Sequence, residues 1–230
     1  MNSTQVAALF SKDIIKKSSL QTQFSGFLKK ANKHNMDIND WIEKNEGWQN
    51  ALPILKKAVF PYLKENPVVC EIGAGTGRFA RHISKKHGKG RIILVDHSAW
   101  VISFLSDYFK SDPRITTYLN DGKSLRAIKD SSVDLIFCNG TFIELKLSFF
   151  YLYSKEFHRV LKKGGYCIFN YFDTTAPGIW SHIKKWSVEL VGYFTYHAPE
   201  IIDKIFISAG FEIVQRYNIN ESTYIVIKKR

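Results

Sequence analysis

The stretch that decides the fold is Val68-Val69-Cys70-Glu71-Ile72-Gly73-Ala74-Gly75-Thr76-Gly77-Arg78-Phe79. Its first half is a short, β-branched apolar run, typical of a buried strand, and its glycines predict a tight turn into a helix. Glycine permits positive φ and lets a ligand approach the backbone closely. Open α/β folds bind ligands at the carboxyl ends of their strands. We therefore expect a ligand-binding turn after this strand.

The spacing of the glycines restricts the kind of ligand. A dinucleotide fingerprint, G-x-G-x-x-G/A, needs a small third residue so that the helix can pack on the strand, and Arg78 stands there. The pattern present is Glu71-x-Gly73-x-Gly75-x-Gly77, with a carboxylate on the strand. A carboxylate repels a pyrophosphate but accepts hydrogen bonds from an ammonium group. The turn therefore favours a nucleoside with a positively charged tail.

Similar apolar runs follow along the chain, each with an amphipathic segment after it. This alternation indicates a mostly parallel sheet with helices on both faces. The predicted strands are 68–72, 92–95, 115–119, 133–138, 166–172, 211–217 and 222–227. The last two are separated by too few residues for a helical crossover, so they predict an antiparallel hairpin. The predicted fold class is α/β, a doubly wound, seven-stranded sheet.

The residues before this sheet have helical periodicity, as in the apolar stripe Val6, Leu9, Phe10 and Ile14. We predict an N-terminal helical cap over residues 1–66 and a ligand-binding domain over residues 67–230. Trp41 and Trp48 are candidates to anchor the cap. They either help to cover the ligand or belong to the ordinary core of a helical layer.

Composition excludes several classes of protein. With 45% hydrophobic residues among 230, the chain can build a core and is not intrinsically disordered. Its net charge of +12 suits a polyanionic partner without requiring one. Cys70, Cys138 and Cys167 lie far apart in apolar runs, which is neither a disulfide framework nor a zinc-ligand spacing. We expect no metal, no membrane association and a cytoplasmic location.

With its motifs in this order, the sequence resembles the class I S-adenosylmethionine-dependent methyltransferases, whose first motif is an acid followed by G-x-G-x-G. The resemblance covers roughly residues 67–228. The matching segments are 71–77, 92–96, 120–122, 133–140 and 156–165. It implies that the chain binds S-adenosylmethionine and releases S-adenosylhomocysteine.

The resemblance also implies which residues hold the cofactor. The acid at Asp96 corresponds to the family's ribose ligand, and Asp121 to its adenine ligand. The predicted cofactor set is Glu71, Gly73, Ala74, Gly75, Gly77, Asp96, His97, Asp121, Gly122 and Asn139. Structural alternatives remain for several of them. Asp96 is also suited to cap the next helix, Asp121-Gly122 is a common turn dipeptide, and His97 either stacks on adenine or faces solvent.

The methyl acceptor is poorly encoded, because methyl transfer needs mainly alignment and a dry pocket, with a base only if the acceptor must lose a proton. Residues 173–199 form a long, aromatic-rich connection that we predict to be a lid over the acceptor. The catalytic candidates are His197, Asp173, Glu144 and His182. His197 stands first, since a histidine titrating near neutrality suits removal of a hydroxyl proton. Its alternative role is packing beneath the lid.

The run Asn139-Gly140-Thr141-Phe142 lacks both prolines of the N/D-P-P-aromatic motif found in DNA and some RNA and protein amino-methyltransferases. We therefore expect O- or N-methylation of a small molecule, with an anionic metabolite or sugar among the options, and no specific nucleic acid partner. An RNA or DNA methyltransferase is the alternative enzyme. A non-catalytic S-adenosylmethionine-binding protein is the alternative from another class. The sequence leaves the oligomeric state open.

Overall fold

The computed structural model describes residues 21–46, 50–86, 88–189 and 194–230. The predicted stripe from Val6 to Ile14 and the candidate anchor Trp48 lie outside these residues. None of the described helices is long and apolar enough to cross a membrane.

Three helical segments precede the sheet in the described part of the chain. Helix α1 covers residues 21–33, and α2 covers Ile38–Asn45. Helix α3, Ala51–Ile54, continues as a π-helical turn over Leu55–Val59 and a 3-10 turn over Phe60–Tyr62. Pro61 stands in the first positions of that last turn, which suit proline because it has no backbone N–H to donate. These segments agree with the predicted helical character of the cap.

The predicted doubly wound α/β fold is confirmed. The strands are β1 Val68–Ile72, β2 Arg91–Asp96, β3 Ile115–Leu119, β4 Val133–Cys138, β5 Leu161–Asp173, β6 Tyr196–His197, β7 Phe211–Ile219 and β8 Ser222–Lys229. The helices between them are α4 Ala80–Lys86, α5 Ala99–Tyr108, α6 Leu147–Val160, α7 Ile179–Glu189 and α8 Pro199–Ser208. The sheet order is β3-β2-β1-β4-β5-β8-β7, with β6 paired to β5. Strands β1 to β5 are parallel, and β7 and β8 form the predicted antiparallel hairpin.

The sheet separates two hydrophobic cores. One core lies between the sheet and the helices of the cap, α4 and α5, and contains Val69, Phe137 and Ile168. We call this side the cap face. The other core lies against α6 and α8 and contains Cys70, Ile136 and Phe169. We call that side the α6 face. Because side chains alternate along a strand, each residue of β1, β4 and β5 is assigned to one of the two faces by its position.

The segment predicted as a lid contains α7 and the short strand β6. Strand β6 pairs in parallel with the end of β5, with Phe172 opposite Tyr196 and Asp173 opposite His197. At the base of the segment, the backbone N–H of Thr174 donates to the carbonyl of His197 at 3.2 Å. Thr195 donates its backbone N–H to the carbonyl of Ile143 at 2.7 Å, in the connection after β4. The end of the lid therefore lies between the carboxyl ends of β4 and β5.

Candidate functional site

The glycine turn after β1 has the backbone conformation that its sequence predicts. Gly73, Gly75 and Gly77 all have positive φ, of 68°, 52° and 74°. Gly73 is also held against the end of β4, since a Cβ atom at this position would lie 2.0 Å from Oγ1 of Thr141. Its N–H donates to the carbonyl of Val95 on β2 at 2.8 Å. The turn thus joins the carboxyl ends of β1, β2 and β4 at one point.

Glu71 lies on the cap face at the base of this turn. Its residue exposure is only 2%, and its Oε2 atom has no hydrogen-bond partner among the described residues. Burial raises the pKa of Glu71 to about 8, although the charge of Arg78 and the backbone N–H of Ala80 act to lower it. A buried carboxyl oxygen without a partner, beside a glycine turn, fits the ammonium group of the predicted cofactor.

Asp96 lies at the carboxyl end of β2 and faces the same turn. Its Oδ2 accepts from the N–H of Gly75 at 3.4 Å, and its Oδ1 accepts from the N–H of Ser98 at 2.9 Å. Burial raises its pKa. Ser98, not Asp96, is the N-cap of α5. The carboxylate of Asp96 therefore bridges the glycine turn and the start of α5, where the predicted ribose contact would lie. The side chain of His97 is exposed, at 41%, with its Nδ1 3.6 Å from Oδ1 of Asp96.

Asp121 follows β3 and organises a turn. Its carboxylate accepts from the backbone N–H groups of Lys123 and Ser124 at 3.0 and 2.7 Å, as the alternative turn interpretation expects. The next residue, Gly122, has a φ of 77°. A cleft of about 270 Å³ is bordered by Asp121, Asn120 and Leu125. The role of Asp121 toward adenine stays a prediction, with an open cleft beside the residue.

Asn139, directly after β4, belongs to a polar network on the cap face. Its Oδ1 accepts a short hydrogen bond from the hydroxyl of Tyr224 on β8. The next residue, Gly140, donates its N–H to Oδ1 of the buried Asn170 on β5 at 2.7 Å. Asn170 in turn donates to the hydroxyl of Ser222 at 3.3 Å. The turn that follows β4 is thus fixed by side chains of β5 and β8.

The helical cap contacts the glycine turn directly. Asn39 of α2 is fully buried, and its Nδ2 donates to the carbonyl of Thr76 at 2.9 Å. The hydroxyl of Thr76 returns a hydrogen bond to Oδ1 of Asn39. Phe24 of α1 lies 3.5 Å from the position of a Cβ atom on Gly75 and stacks on Trp100 with ring centroids 6.3 Å apart. Two helices of the cap therefore cover the turn.

The four candidate catalytic residues lie in three places. Asp173 and His197 are paired across β5 and β6 and belong to the α6 face. Asp173 accepts from the hydroxyl of Tyr171 at 3.2 Å, and the ring of His197 packs on Phe150 of α6. His197 is buried, its Nε2 is 3.2 Å from the carbonyl of Leu145, and burial lowers its pKa. These contacts agree with the alternative role for His197, which is packing beneath the lid.

His182 lies on the opposite side, the cap face. Phe172 shares this face with Asn170, two residues earlier on β5, and its ring centroid is 4.2 Å from that of His182. Trp186, Phe194 and Tyr196 complete the aromatic cluster around the imidazole. His182 therefore shares the face of Glu71 and Asn139. Glu144 occupies a third place, in the 3-10 turn Phe142–Glu144 after β4.

Several residues of the site were not found by sequence reasoning. Asp37 and Asn39 are both suited by residue type to cap α2; Asp37 is the N-cap, and Asn39 instead turns inward to Thr76. Tyr224 and Asn170 are polar residues within apolar runs. A polar side chain at a position that the pattern predicts to be buried is the signal that identifies such residues. Glu221 lies in the turn of the C-terminal hairpin, with its Oε2 3.6 Å from Nε2 of His182, and gives no such signal because its side chain is exposed.

Comparisons with known proteins agree with this geometry. Residues 69–165 match the family described as methyltransferase domain. An uncharacterized methyltransferase-like protein of Schizosaccharomyces pombe is 30% identical over 142 residues, which is 61% of this chain and 50% of that protein. The chain thus aligns with about half the length of this relative.

Solved structures share the fold. A chain in the Haloferax volcanii complex that contains the Trm112 methyltransferase activator has a TM-score of 0.66 at 18% identity, covering 83% of this chain and 92% of that chain. An S-adenosylmethionine-dependent methyltransferase of Methanosarcina mazei has a TM-score of 0.62 at 15% identity, covering 74% and 96%. The resemblance predicted from the motifs is confirmed: residues 69–165 match the methyltransferase-domain family, and the solved structures share the fold.

Proposed function

We propose that the chain transfers a methyl group from S-adenosylmethionine to a hydroxyl or amino group of a small molecule. The observation that carries the cofactor part is the buried, unpartnered Oε2 of Glu71 at the glycine turn. A negatively charged group in this position accepts hydrogen bonds from the ammonium group of the cofactor. The same position offers a dinucleotide no comparable partner, because a pyrophosphate brings no cation to stabilise the charged form of Glu71.

Different residues around the turn hold different parts of the cofactor. Glu71 receives the ammonium group, Asp96 the ribose hydroxyls, and the loop of Asp121 the adenine. Gly73, Ala74, Gly75 and Gly77 give the backbone close approach, and His97, Gly122 and Asn139 border the same edge of the sheet. When bound, S-adenosylmethionine supplies an electrophilic methyl group on a sulfonium sulfur. The chain itself supplies orientation and exclusion of water.

The acceptor part of the proposal is supported by the lid. Phe172, His182, Phe194 and Tyr196 pack against one another beside the carboxyl end of β5. Aromatic walls with a few polar groups are typical of small-molecule pockets. Lys184 and Lys185 are exposed on α7, which would favour an acceptor with an anionic group.

The first experiment is calorimetry of the purified chain with S-adenosylmethionine, S-adenosylhomocysteine and NAD. We expect binding of the two sulfur ligands and none of NAD. Asp96→Ala removes two charge-assisted hydrogen bonds to ribose and should weaken binding by about 2–4 kcal/mol. Asp107→Ala is the matched control, because Asp107 is exposed on α5 and pairs only with Lys110 at the surface among the contacts seen.

The second experiment supplies labelled S-adenosylmethionine together with a small-molecule cell extract, total RNA or DNA. We expect label in the small-molecule fraction, lost in Asp96→Ala. Label in RNA or DNA would support the alternative enzyme. Cofactor binding without transfer to any of the three would support a non-catalytic binding protein.

A further inference from the structure

We infer that Tyr196, His182 and Glu221 form a proton relay at the acceptor side of the site, in which Tyr196 touches the acceptor and the other two residues position and receive its proton. The inference rests on the proposed function, since it names the groups that deprotonate a hydroxyl acceptor. It also selects the cap face, and not the α6 face of His197, as the side on which the base works.

The three residues come from three elements and are connected through the imidazole of His182. The hydroxyl of Tyr196 on β6 is 3.1 Å from Nδ1 of His182 on α7. On the other edge of the ring, Nε2 is 3.6 Å from Oε2 of Glu221, in the turn between β7 and β8. The imidazole is only 4% exposed, whereas the Glu221 side chain is 57% exposed. A buried imidazole thus connects a phenol near the sheet edge with a carboxylate open to solvent.

The carboxylate determines which nitrogen carries the proton. A negative charge beside Nε2 favours the tautomer with the proton on Nε2, which leaves Nδ1 as an acceptor. The hydroxyl of Tyr196 then donates to Nδ1, and its oxygen presents a lone pair to a further donor. A hydroxyl of the methyl acceptor is such a donor.

Methyl transfer and proton transfer take place together in the relay. The acceptor oxygen forms a bond to the methyl carbon while the bond from carbon to sulfur breaks, and its electron pair stays on sulfur. The hydroxyl proton of the acceptor passes to the oxygen of Tyr196 as the phenol proton passes to Nδ1 of His182. The products are a methyl ether, a neutral thioether and an imidazolium beside Glu221. Once the methyl ether has left, the proton on Nδ1 returns through the phenol of Tyr196 to water entering the site, which restores the starting tautomer, and Glu221 stabilises the imidazolium until then.

The position of the relay on the sheet supports its role. Tyr196 is paired with Phe172 of β5, and Phe172 lies on the same face as Asn170. Asn170 fixes Gly140, the residue after Asn139. The relay therefore stands on the face that carries Glu71 and Asn139. His197, one residue after Tyr196, points to the opposite face and packs on α6.

The first test needs no acceptor. Nitrogen-15 NMR of the ring nitrogens of the labelled full-length chain, assigned by the missing signals of His182→Gln, reports the tautomer of His182. We expect the proton on Nε2, and a loss of that preference in Glu221→Gln but not in the control Glu212→Gln, a surface carboxylate paired with Lys228. A proton on Nδ1 in the parent would overturn the relay.

The second test uses the small-molecule extract as the acceptor. Tyr196→Phe and His182→Gln should each lower methyl transfer roughly a hundredfold while S-adenosylhomocysteine binds within about twofold of the parent. Tyr151→Phe, on the exposed side of α6, is the control. A parent that fails to bind S-adenosylhomocysteine refutes the proposed function, and the relay, which rests on it, is refuted with it. Loss of transfer in His197→Gln but not in His182→Gln would refute the relay alone.

The pH profile separates a proton role from a structural one. Among the described residues, the charged and titratable groups that face His182 are Glu221, Lys185 and Tyr196. Transfer requires the neutral imidazole. Glu221→Gln removes a negative charge, so the imidazole loses its proton more readily and the rising limb of the profile moves to lower pH. An unchanged limb would mean that Glu221 has no part in the relay.

Discussion

At the scale of single residues, Glu71 is a buried carboxyl group. Its surroundings stabilise the charged form only when a cation lies beside it. Burial raises its pKa to about 8, so near neutrality the free protein holds it protonated. An arriving ammonium group favours the carboxylate. Ligand binding and proton release are therefore linked at this residue.

This linkage gives a prediction for cofactor affinity. Between about pH 6 and pH 8, the affinity for S-adenosylhomocysteine should rise roughly tenfold per pH unit, because one proton must leave on binding. Calorimetry at pH 7 in two buffers of different ionisation enthalpy measures the released proton directly. Glu71→Gln should bind more weakly and with no release. Equal release in parent and variant would assign the proton to another group.

The raised pKa of Glu71 also makes the folding stability of the chain depend on pH. The pKa of Glu71 is higher in the folded chain than its ordinary value of 4.5. The folded state therefore binds the proton more tightly, and its stability falls as pH rises from about 4.5 toward 8. Urea unfolding at several pH values should show this decline in the parent and a shallower one in Glu71→Gln. Parallel curves for the two proteins would contradict the assignment.

At the scale of elements, α2 and the glycine turn are joined by a reciprocal pair of buried hydrogen bonds between Asn39 and Thr76. Arg81 of α4 adds ion pairs to Asp37, Asp40 and Glu43 on the same helix. The helix of the cap is thus held at the turn itself. Its removal would leave buried polar groups of the turn without partners.

Asn39→Ala tests this connection. The change leaves the carbonyl and the hydroxyl of Thr76 unsatisfied, at about 1–3 kcal/mol for each buried group. Urea unfolding should show the loss, and calorimetry should show weaker cofactor binding. Asn45→Ala in the same helix is the control, since its exposed side chain donates only to the carbonyl of Trp41 in the contacts seen. Equal stability of the two variants would mean that the cap is not held at Asn39.

The bounds of the strands show which parts of the fold can be predicted from the sequence. The runs at β1, β3 and β4 are predicted with their observed bounds, because each is a short run rich in apolar or β-branched residues with polar or turn residues on both sides. Strand β5 begins already at Leu161, because Leu161 pairs with Val133 and Lys162 is neutralised by Asp134 at 2.8 Å. Both are contacts across the sheet. Local periodicity does not reveal such contacts, so it does not predict that β5 begins at Leu161.

The same limit applies to the site. Motif order predicts the glycine turn and the acids at the ends of β2 and β3, since these follow directly from strands. It does not separate His182 from His197. Their faces depend on the register of a two-residue strand, in which Tyr196 pairs with Phe172. A strand of that length is too short to give an alternating pattern.

At the scale of the whole molecule, the net charge of +12 predicts association with polyanions without specificity. Binding to duplex DNA should be weak and should fall steeply between about 50 and 200 mM salt. Fluorescence anisotropy with a labelled duplex measures this dependence. Affinity that persists at the higher salt concentration and depends on nucleotide sequence would contradict the small-molecule proposal.

The base of the lid has a consequence for how such a protein changes over time. The segment leaves the sheet after Asp173 and returns at His197, whose carbonyl is joined to Thr174 by a single hydrogen bond. Its two ends are therefore neighbours, so a segment of another length or composition can be inserted there without moving the strands on either side. The lid can therefore be exchanged as one segment. Under the proposed function, replacing this segment would change the acceptor while the glycine turn proposed to hold the cofactor stays unchanged.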